Sequence, residues 1–307
     1  RDVERSRGLG DVYKRQETGV ITPTEKINDI GVYKKAHEPA CWIWNSYGMS
    51  HGWLNVTEAI THSCNYFFYE VGYRATIDNI AKYAKYYGLG EKTNVELPME
   101  EKGIVATRDK AKERGDEWQI GETLSAAIGQ SYNSYTPIQM AKYISMLANG
   151  GEPIDVTIVK SINDVNGNQV SKEDITKFVN AKLGLTKEKK ENLNIKKENI
   201  DAILKGMKGV TSEEGGTAYS TFANFNIELG GKTGSAQTDV QGKINGWFVG
   251  FAPYEEPEIA VVVLVENAGS GSYTAEVARD IIAQYFGMNT NQVTENTTAI
   301  PTVQIIN

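Results

Sequence analysis

The 307-residue chain is short of the residues that build metal centres, disulfide frameworks and membrane spans. It has 2 cysteines, Cys41 and Cys64, no Cys-x-x-Cys, and 3 histidines, His37, His51 and His62. Two cysteines cannot make a disulfide framework, and with so few imidazoles we expect no zinc set, no other metal and no cofactor. The most apolar run, Ile259-Ala-Val-Val-Val-Leu-Val265, falls far below the ~20 residues a membrane-spanning helix needs, and no signal peptide is visible. Positive charge is scarce as well. Against 39 Asp and Glu stand 32 Lys and Arg, a net charge of -7, and no Lys/Arg run lies beside aromatics, which argues against a nucleic-acid partner. What is there, 40% hydrophobic and 23% charged residues, is ordinary globular composition with enough apolar material for a sizeable core.

Residues 1–16, RDVERSRGLGDVYKRQ, are basic and show no apolar periodicity, so we expect a non-native or disordered leader and assign it no function. Residues 17–288 read as one domain and the Thr/Asn-rich residues 289–307 as a flexible tail. Residues 19–23 suggest a strand or turn, and Trp42, Trp44, Tyr47 and Trp53 are expected in the core. Residues 55–62 predict a short helix capped by Asn55, with Glu58 completing the cap. Helical spacing resumes over 66–73 and again over 78–87, where Ile77, Ile80, Ala81 and Ala84 form the apolar face. Further helices are predicted at 124–130, at 136–148 with Pro137 in its first turn, and at 199–210. A hairpin around Asn166-Gly167 and a Lys/Glu/Asn-rich stretch fill residues 155–199 as an exposed excursion. Residues 227–238, 246–254 and 258–266 predict three strands, closed by a helix over 272–286 whose apolar positions are Val277, Ile281, Ile282 and Tyr285. The chain is therefore α/β of the α+β type, an antiparallel sheet covered by helices next to a mostly helical subdomain.

The chemistry centres on Gly231-Lys232-Thr233-Gly234-Ser235 at the start of the first long strand. An ammonium and two hydroxyls suit a carboxylate, Gly234 lets a substrate backbone lie against the strand, and strand alternation puts Thr233 and Ser235 on one face. Ser-x-Asn, expected about once by chance in a chain of this length, occurs at Ser63, Ser131 and Ser161. Only Ser63-Cys64-Asn65 lies at a corner between two apolar helices, where rigid elements can present a hydroxyl and an amide to a cleft. With Lys232 facing the same cleft, Ser63 and Asn65 supply most of an acyl-transfer site.

Ser-x-Asn followed by Lys-[Ser/Thr]-Gly resembles the penicillin-interacting serine acyltransferases, in which Ser-x-x-Lys precedes both. More narrowly, the chain resembles the transpeptidase domain of class B penicillin-binding proteins of the cell-elongation type. The supporting text is Gly19-Val-Ile-Thr-Pro23, Ala126-Ala-Ile-Gly-Gln130 followed by Thr136-Pro-Ile-Gln139, Gly231-Lys-Thr-Gly-Ser-Ala-Gln237 and Trp247-Phe-Val-Gly-Phe-Ala-Pro253. The resemblance implies peptidoglycan stem peptides ending in D-Ala-D-Ala as donors, β-lactams as their mimics, a membrane glycosyltransferase as a partner through regions outside this chain, and a place on the extracytoplasmic face of the bacterial membrane. It implies that Ser63 relays a proton, Asn65 holds the donor amide, Lys232 steadies Ser63 and draws in the carboxylate, and Thr233 and Ser235 bind that carboxylate. The backbone N–H of Ser235 becomes half of an oxyanion hole.

One departure matters. No serine in the sequence has a lysine three positions later: Ser63 has Tyr66, Ser131 has Ser134 and Ser171 has Asp174. The expectation is a truncated copy whose nucleophile segment was replaced by residues 1–16, and a chain that forms no acyl-enzyme. A β-lactamase or D,D-carboxypeptidase, and a β-lactam-sensing receptor domain, share the motifs and remain open. A cysteine hydrolase built on Cys64 and His62 lacks any partner signature, and these read as a buried thiol and a surface imidazole.

Overall fold

The structure, a computed structural model, describes residues 20–184, 195–238 and 242–288. The expected leader and tail lie outside them. β1 (Ile27–Asp29) and β2 (Gly52–Leu54) pair antiparallel with Asp29 opposite Gly52, and α1 (Trp42–Tyr47) lies between them. α2 (Val56–Thr61) opens with the predicted reciprocal cap, in which Asn55 Oδ1 accepts from Glu58 N at 3.0 Å and Glu58 Oε2 accepts from Asn55 N at 2.7 Å. α3 (Asn65–Tyr86) joins the two predicted segments into one element broken at Thr76, where φ is 66° and ψ 157°. Its second half buries Ile77, Ile80, Ala81 and Ala84 as the periodicity requires.

α4 (Arg108–Glu113), α5 (Ile120–Ala127) and α6 (Pro137–Ala148) follow, the last capped by Thr136 with Pro137 in the first turn. The hairpin at Asn166-Gly167 closes with Asn163 bridged to Gln169. The polar excursion, with no helix expected in it, contains α7 (Lys172–Leu183). α8 (Lys197–Ser212) and the short α9 (Tyr219–Phe222) lead to the sheet. β3 (Gly230–Gln237), β4 (Ile244–Ala252) and β5 (Ile259–Val265) form an antiparallel sheet in that order, with Lys232 opposite Val249 and Ser235 opposite Gly246. The turn between β3 and β4 falls partly outside the described residues. α10 (Ser272–Tyr285) completes the fold.

α10 packs on β4 and β5, α6 on β5, α8 on β3, and α2 on α8, so the sheet is covered by helices and continues into a helical region. Trp247, Phe248 and Phe251 of β4 are almost fully enclosed at its centre. Two expectations about buried faces are corrected. Trp44, Tyr47 and Trp53 are exposed, at 41%, 68% and 64%, because three-residue strands and a six-residue helix leave them at the rim of the fold. On α10 the sheet-facing stripe is Ala275, Ala278 and Ile282, while Val277, Ile281 and Tyr285 stay at the flank. The small Ala275 and Ala278 let the helix lie close to the strands, with Ile282 as the large side chain that packs beneath it.

Candidate active site

Ser63 sits where α2 ends and α3 begins. Its φ of 54° is left-handed, an uncommon state for a non-glycine residue, and the corner is held by Ser63 N donating to Ile60 O at 3.1 Å and Cys64 N to Ala59 O at 2.9 Å. Trp42 Nε1 ties the same corner down by donating to His62 O at 3.1 Å. Asn65 is the first residue of α3 and is 8% exposed. From β3, Lys232 Nζ donates to Ser63 Oγ at 2.8 Å and to Thr233 O at 2.9 Å. Ser63 and Lys232, 6% and 5% exposed, thus meet inside the protein.

α8 sets the distance between them. On one side it lies against α2, where Gly206 and Gly209 leave no space for a side chain: a Cβ at Gly206 would come within 2.8 Å of Ile60 Cβ, and one at Gly209 within 2.2 Å of Thr61 Oγ1. Thr57 Oγ1 donates to Ala202 O at 3.0 Å across the same seam. On the other side Thr211 Oγ1 donates to Leu229 O at 2.7 Å, fastening α8 to the start of β3. Two close contacts on one rigid helix fix where the Ser63 corner stands relative to the Lys232 strand.

Thr233 and Ser235 are half-buried on β3, with fully buried Gly234 between them. Thr233 Oγ1 lies 2.6 Å from Thr217 Oγ1, and Ser235 Oγ accepts from Gly271 N at 3.2 Å. Gln130 Nε2 donates to Ser235 O at 3.4 Å. β3 is an edge strand, and Lys232 Nζ and Gln130 Nε2 reach the Thr233 and Ser235 carbonyls. In an antiparallel strand a residue's N–H and C=O point to the same side, so the Ser235 N–H also faces the open edge. Thr217 and Gly271 escaped the sequence reading, because Gly-Gly-Thr and Gly-Ser-Gly-Ser read as ordinary loop text; only the fold brings them behind the two hydroxyls.

The other Ser-x-Asn pairs are structural or exposed. Ser131 Oγ bonds to Glu122 Oε2, while buried Asn133 accepts through Oδ1 from Ala106 N at 2.9 Å and from Tyr135 OH at 2.8 Å. Ser161 is on the surface. Cys64 Sγ accepts from Phe67 N at 3.5 Å, and His62 Nδ1 contacts Gly215 O at 3.1 Å, so thiol and imidazole face different partners.

The expectation of no metal-binding set needs correction. Asp29, Cys41, His51 and Cys64 bring ligand atoms within 4.8 Å of one another. His51 Nδ1 is 2.8 Å from Asp29 Oδ2, Cys64 Sγ donates to the same oxygen at 3.3 Å, and the two sulfurs are 3.9 Å apart. Burial works against charge at Asp29, yet the His51 ring and the Gly31 and His51 N–H groups hold its carboxyl down at about 2. Burial likewise opposes protonation of His51, and the Asp29 contact lifts it to about 9. Hydrogen bonding to Cys64 pulls the Cys41 thiol down to about 5, while burial pushes Cys64 up. One carboxylate, one imidazole and two sulfurs in a buried shell fit a tetrahedral, borderline-soft divalent ion such as zinc. Sequence spacing hid the set, because the β1–β2 pairing and the α2–α3 corner bring together residues from four separate elements and loops. Cys64 is flanked by Ser63 and Asn65, so these donors lie directly behind the candidate catalytic corner.

Residues 16–283 match the family described as "Penicillin binding protein transpeptidase domain". The chain is 30% identical over 295 residues to the peptidoglycan D,D-transpeptidase MrdA of Haemophilus influenzae, covering 91% of this chain and 43% of that protein. It therefore spans less than half the length of this curated relative. Among solved structures, PBP2 of Pseudomonas aeruginosa aligns with a TM-score of 0.78 and 29% identity over 96% of this chain and 63% of that one. PBP2 of Helicobacter pylori, in its complex with MreC, aligns with a TM-score of 0.74 and 27% identity over 92% of this chain and 50% of that one.

Proposed function

Because the chain belongs to the penicillin-binding protein transpeptidase domain family, we propose that it carries the donor-recognition half of a peptidoglycan D,D-transpeptidase of the elongation type. Its ligands are stem peptides ending in D-Ala-D-Ala and the β-lactams that imitate them. The observation that carries this reading is the 2.8 Å contact between Lys232 Nζ and Ser63 Oγ. Once a nucleophile is supplied from outside this sequence, Ser63 would relay a proton to the leaving amine; in the chain itself Lys232 orients that hydroxyl while its charge attracts the terminal carboxylate. Thr233 and Ser235 hydrogen-bond the carboxylate, Gly234 lets the peptide lie along the β3 edge, Asn65 holds the donor amide, and the Ser235 N–H supplies half of the oxyanion hole.

Attack on the peptide carbonyl needs a nucleophile with an adjacent base, and this sequence contains no Ser-x-x-Lys. The chain therefore recognises the donor without opening it. A position on the outer face of the cell membrane and a partner glycosyltransferase belong to the same reading, both served by regions outside these residues. Among the described residues no helix is long and apolar enough to cross a membrane.

Titration of the chain with diacetyl-L-Lys-D-Ala-D-Ala, followed by NMR, tests the proposal. Saturable binding that falls at least tenfold in Lys232→Ala, and is absent for the L-Ala-L-Ala peptide, is expected. Equal binding of both peptides, or binding indifferent to Lys232, removes it.

A further inference from the structure

The two hydroxyls of β3 each meet a polar group from another part of the chain. Behind Ser235, Gly271 N–H donates to Oγ at 3.2 Å. A backbone N–H cannot reverse its role, so the Ser235 hydroxyl spends a lone pair on the protein and keeps its proton for something else. Gly271 reaches this position because it has no side chain; a Cβ there would stand 2.3 Å from Gly234 O. Behind Thr233, Thr217 Oγ1 is 2.6 Å from Oγ1, and either oxygen can be the donor.

Thr217 is held firmly enough for that contact to matter. Gly216 lies so close to the end of α8 that a Cβ would be 2.4 Å from Gly209 O and 2.6 Å from Val210 O. Ala218 N donates to Val210 O at 3.0 Å on the other side. The same loop touches the Ser63 corner, where His62 Nδ1 lies 3.1 Å from Gly215 O and must be the donor, since a carbonyl only accepts.

The direction of the Thr217–Thr233 bond decides what Thr233 can offer. Were Thr233 the donor, its one proton would be used, and only lone pairs would face the cleft. With Thr217 as donor, the Thr233 proton is free, and a hydroxyl that accepts one hydrogen bond donates the next one more strongly. A carboxylate can only accept, so its arrival selects this second direction.

We propose that Thr217 is a positioning residue that donates to Thr233 Oγ1 and, together with the Gly271 N–H behind Ser235, makes the β3 hydroxyl pair an all-donor site selective for a terminal carboxylate over a carboxamide. A carboxamide turns an NH2 group toward one of these donors and loses that bond. The inference rests on the carboxylate-binding role given to Thr233 and Ser235 above.

The test compares diacetyl-L-Lys-D-Ala-D-Ala with its C-terminal carboxamide, titrated into the chain and its variants by NMR, with melting temperature as a folding check. The unsubstituted chain is expected to prefer the acid. Thr217→Val should shrink that preference about fivefold by weakening the acid alone, and Thr217→Ser should restore it. Thr217→Ala, which leaves more room, repeats the measurement should the valine variant not fold. An acid preference unchanged in the valine or alanine variant, or a loss equal for both ligands, overturns the role of Thr217 and leaves the site reading intact. An unsubstituted chain that shows no preference for the acid overturns both.

Discussion

Lys232 Nζ donates to Ser63 Oγ at 2.8 Å although 169 positions of sequence separate the two residues. Both are buried, and the contact is held from outside by α8, which is fastened to α2 on one side and to the start of β3 on the other. A hydroxyl and an ammonium placed this way can relay a proton and draw in an anion, but neither is a nucleophile with its own base.

Covalent chemistry is accordingly the first thing to measure. Fluorescent penicillin is expected to leave no hydroxylamine-sensitive adduct on this chain, because no serine has a lysine three residues on. Grafting a homologous N-terminal segment that carries Ser-x-x-Lys should restore labelling, and Lys232→Ala in the grafted protein should suppress it by a hundredfold or more. Labelling of the ungrafted chain, or indifference to the alanine, contradicts the assigned roles.

A second measurement concerns the Asp29, Cys41, His51 and Cys64 donors. Zinc is expected to bind one ion per chain and raise the melting temperature by several degrees, since a ligand at a hundredfold excess over its Kd adds about 2.7 kcal/mol. Chelation should reverse the shift, and His51→Ala or Cys41→Ala should abolish it. Cobalt should give a sulfur-to-metal charge-transfer band that these variants lack. A melting curve identical with and without zinc would sink the metal reading.

The α2–α8 seam predicts an unusual cost for a small change. A Cβ at Gly206 would stand 2.8 Å from Ile60 Cβ and 2.9 Å from Thr57 O, and the backbone oxygen cannot turn aside. Gly206→Ala should therefore lower stability by about 1–3 kcal/mol through overpacking, outweighing the ~1 kcal/mol by which alanine favours a helix interior. Urea unfolding reads the stability, and the same variant should bind the donor peptide more weakly because the Ser63 corner is pushed from β3. An alanine variant as stable as the parent would show that the seam yields.

Acid sensitivity should trace partly to Glu70, which is 8% exposed and accepts from Tyr33 OH at 2.7 Å, Lys35 Nζ at 2.8 Å and Arg74 Nε at 2.8 Å. Burial works to raise its pKa, but the Lys35, Tyr33 and Arg74 bonds prevail and hold it below the ordinary 4.5. A carboxyl depressed in the folded state stabilises the protein above its unfolded pKa, and that contribution is lost as pH falls through the folded value. Stability should drop as pH is lowered from 4.5, and Glu70→Gln should flatten that limb while costing about 1.5–3 kcal/mol at neutral pH. Parallel pH profiles for parent and variant would remove Glu70 from the account.

Elements with a strong local cause were legible in the sequence. The Asn55/Glu58 cap, the Thr136-Pro137 start, the Ile77, Ile80, Ala81 and Ala84 stripe and the three strands all follow from contacts within a few residues. The short β1–β2 pair was not legible, since three residues carry no usable period and their pairing is long-range. The inward face of α10 was misread because alanines, which decide close approach, weigh little in an apolar pattern.

Residue identities alone settled which chemical groups the chain owns: the Ser63 hydroxyl, the Asn65 amide, the Lys232 ammonium, the Thr233 and Ser235 hydroxyls, and no serine-lysine pair at the required spacing. Tertiary structure decided which of them meet. Local sequence sets φ, ψ and caps within a turn or two, whereas the Lys232–Ser63 contact, the polar groups behind Thr233 and Ser235, and the ligand set around Cys64 arise only when the close α2–α8 packing at Gly206 and Gly209, the β1–β2 pairing and the loops around β3 bring distant segments within reach of one another.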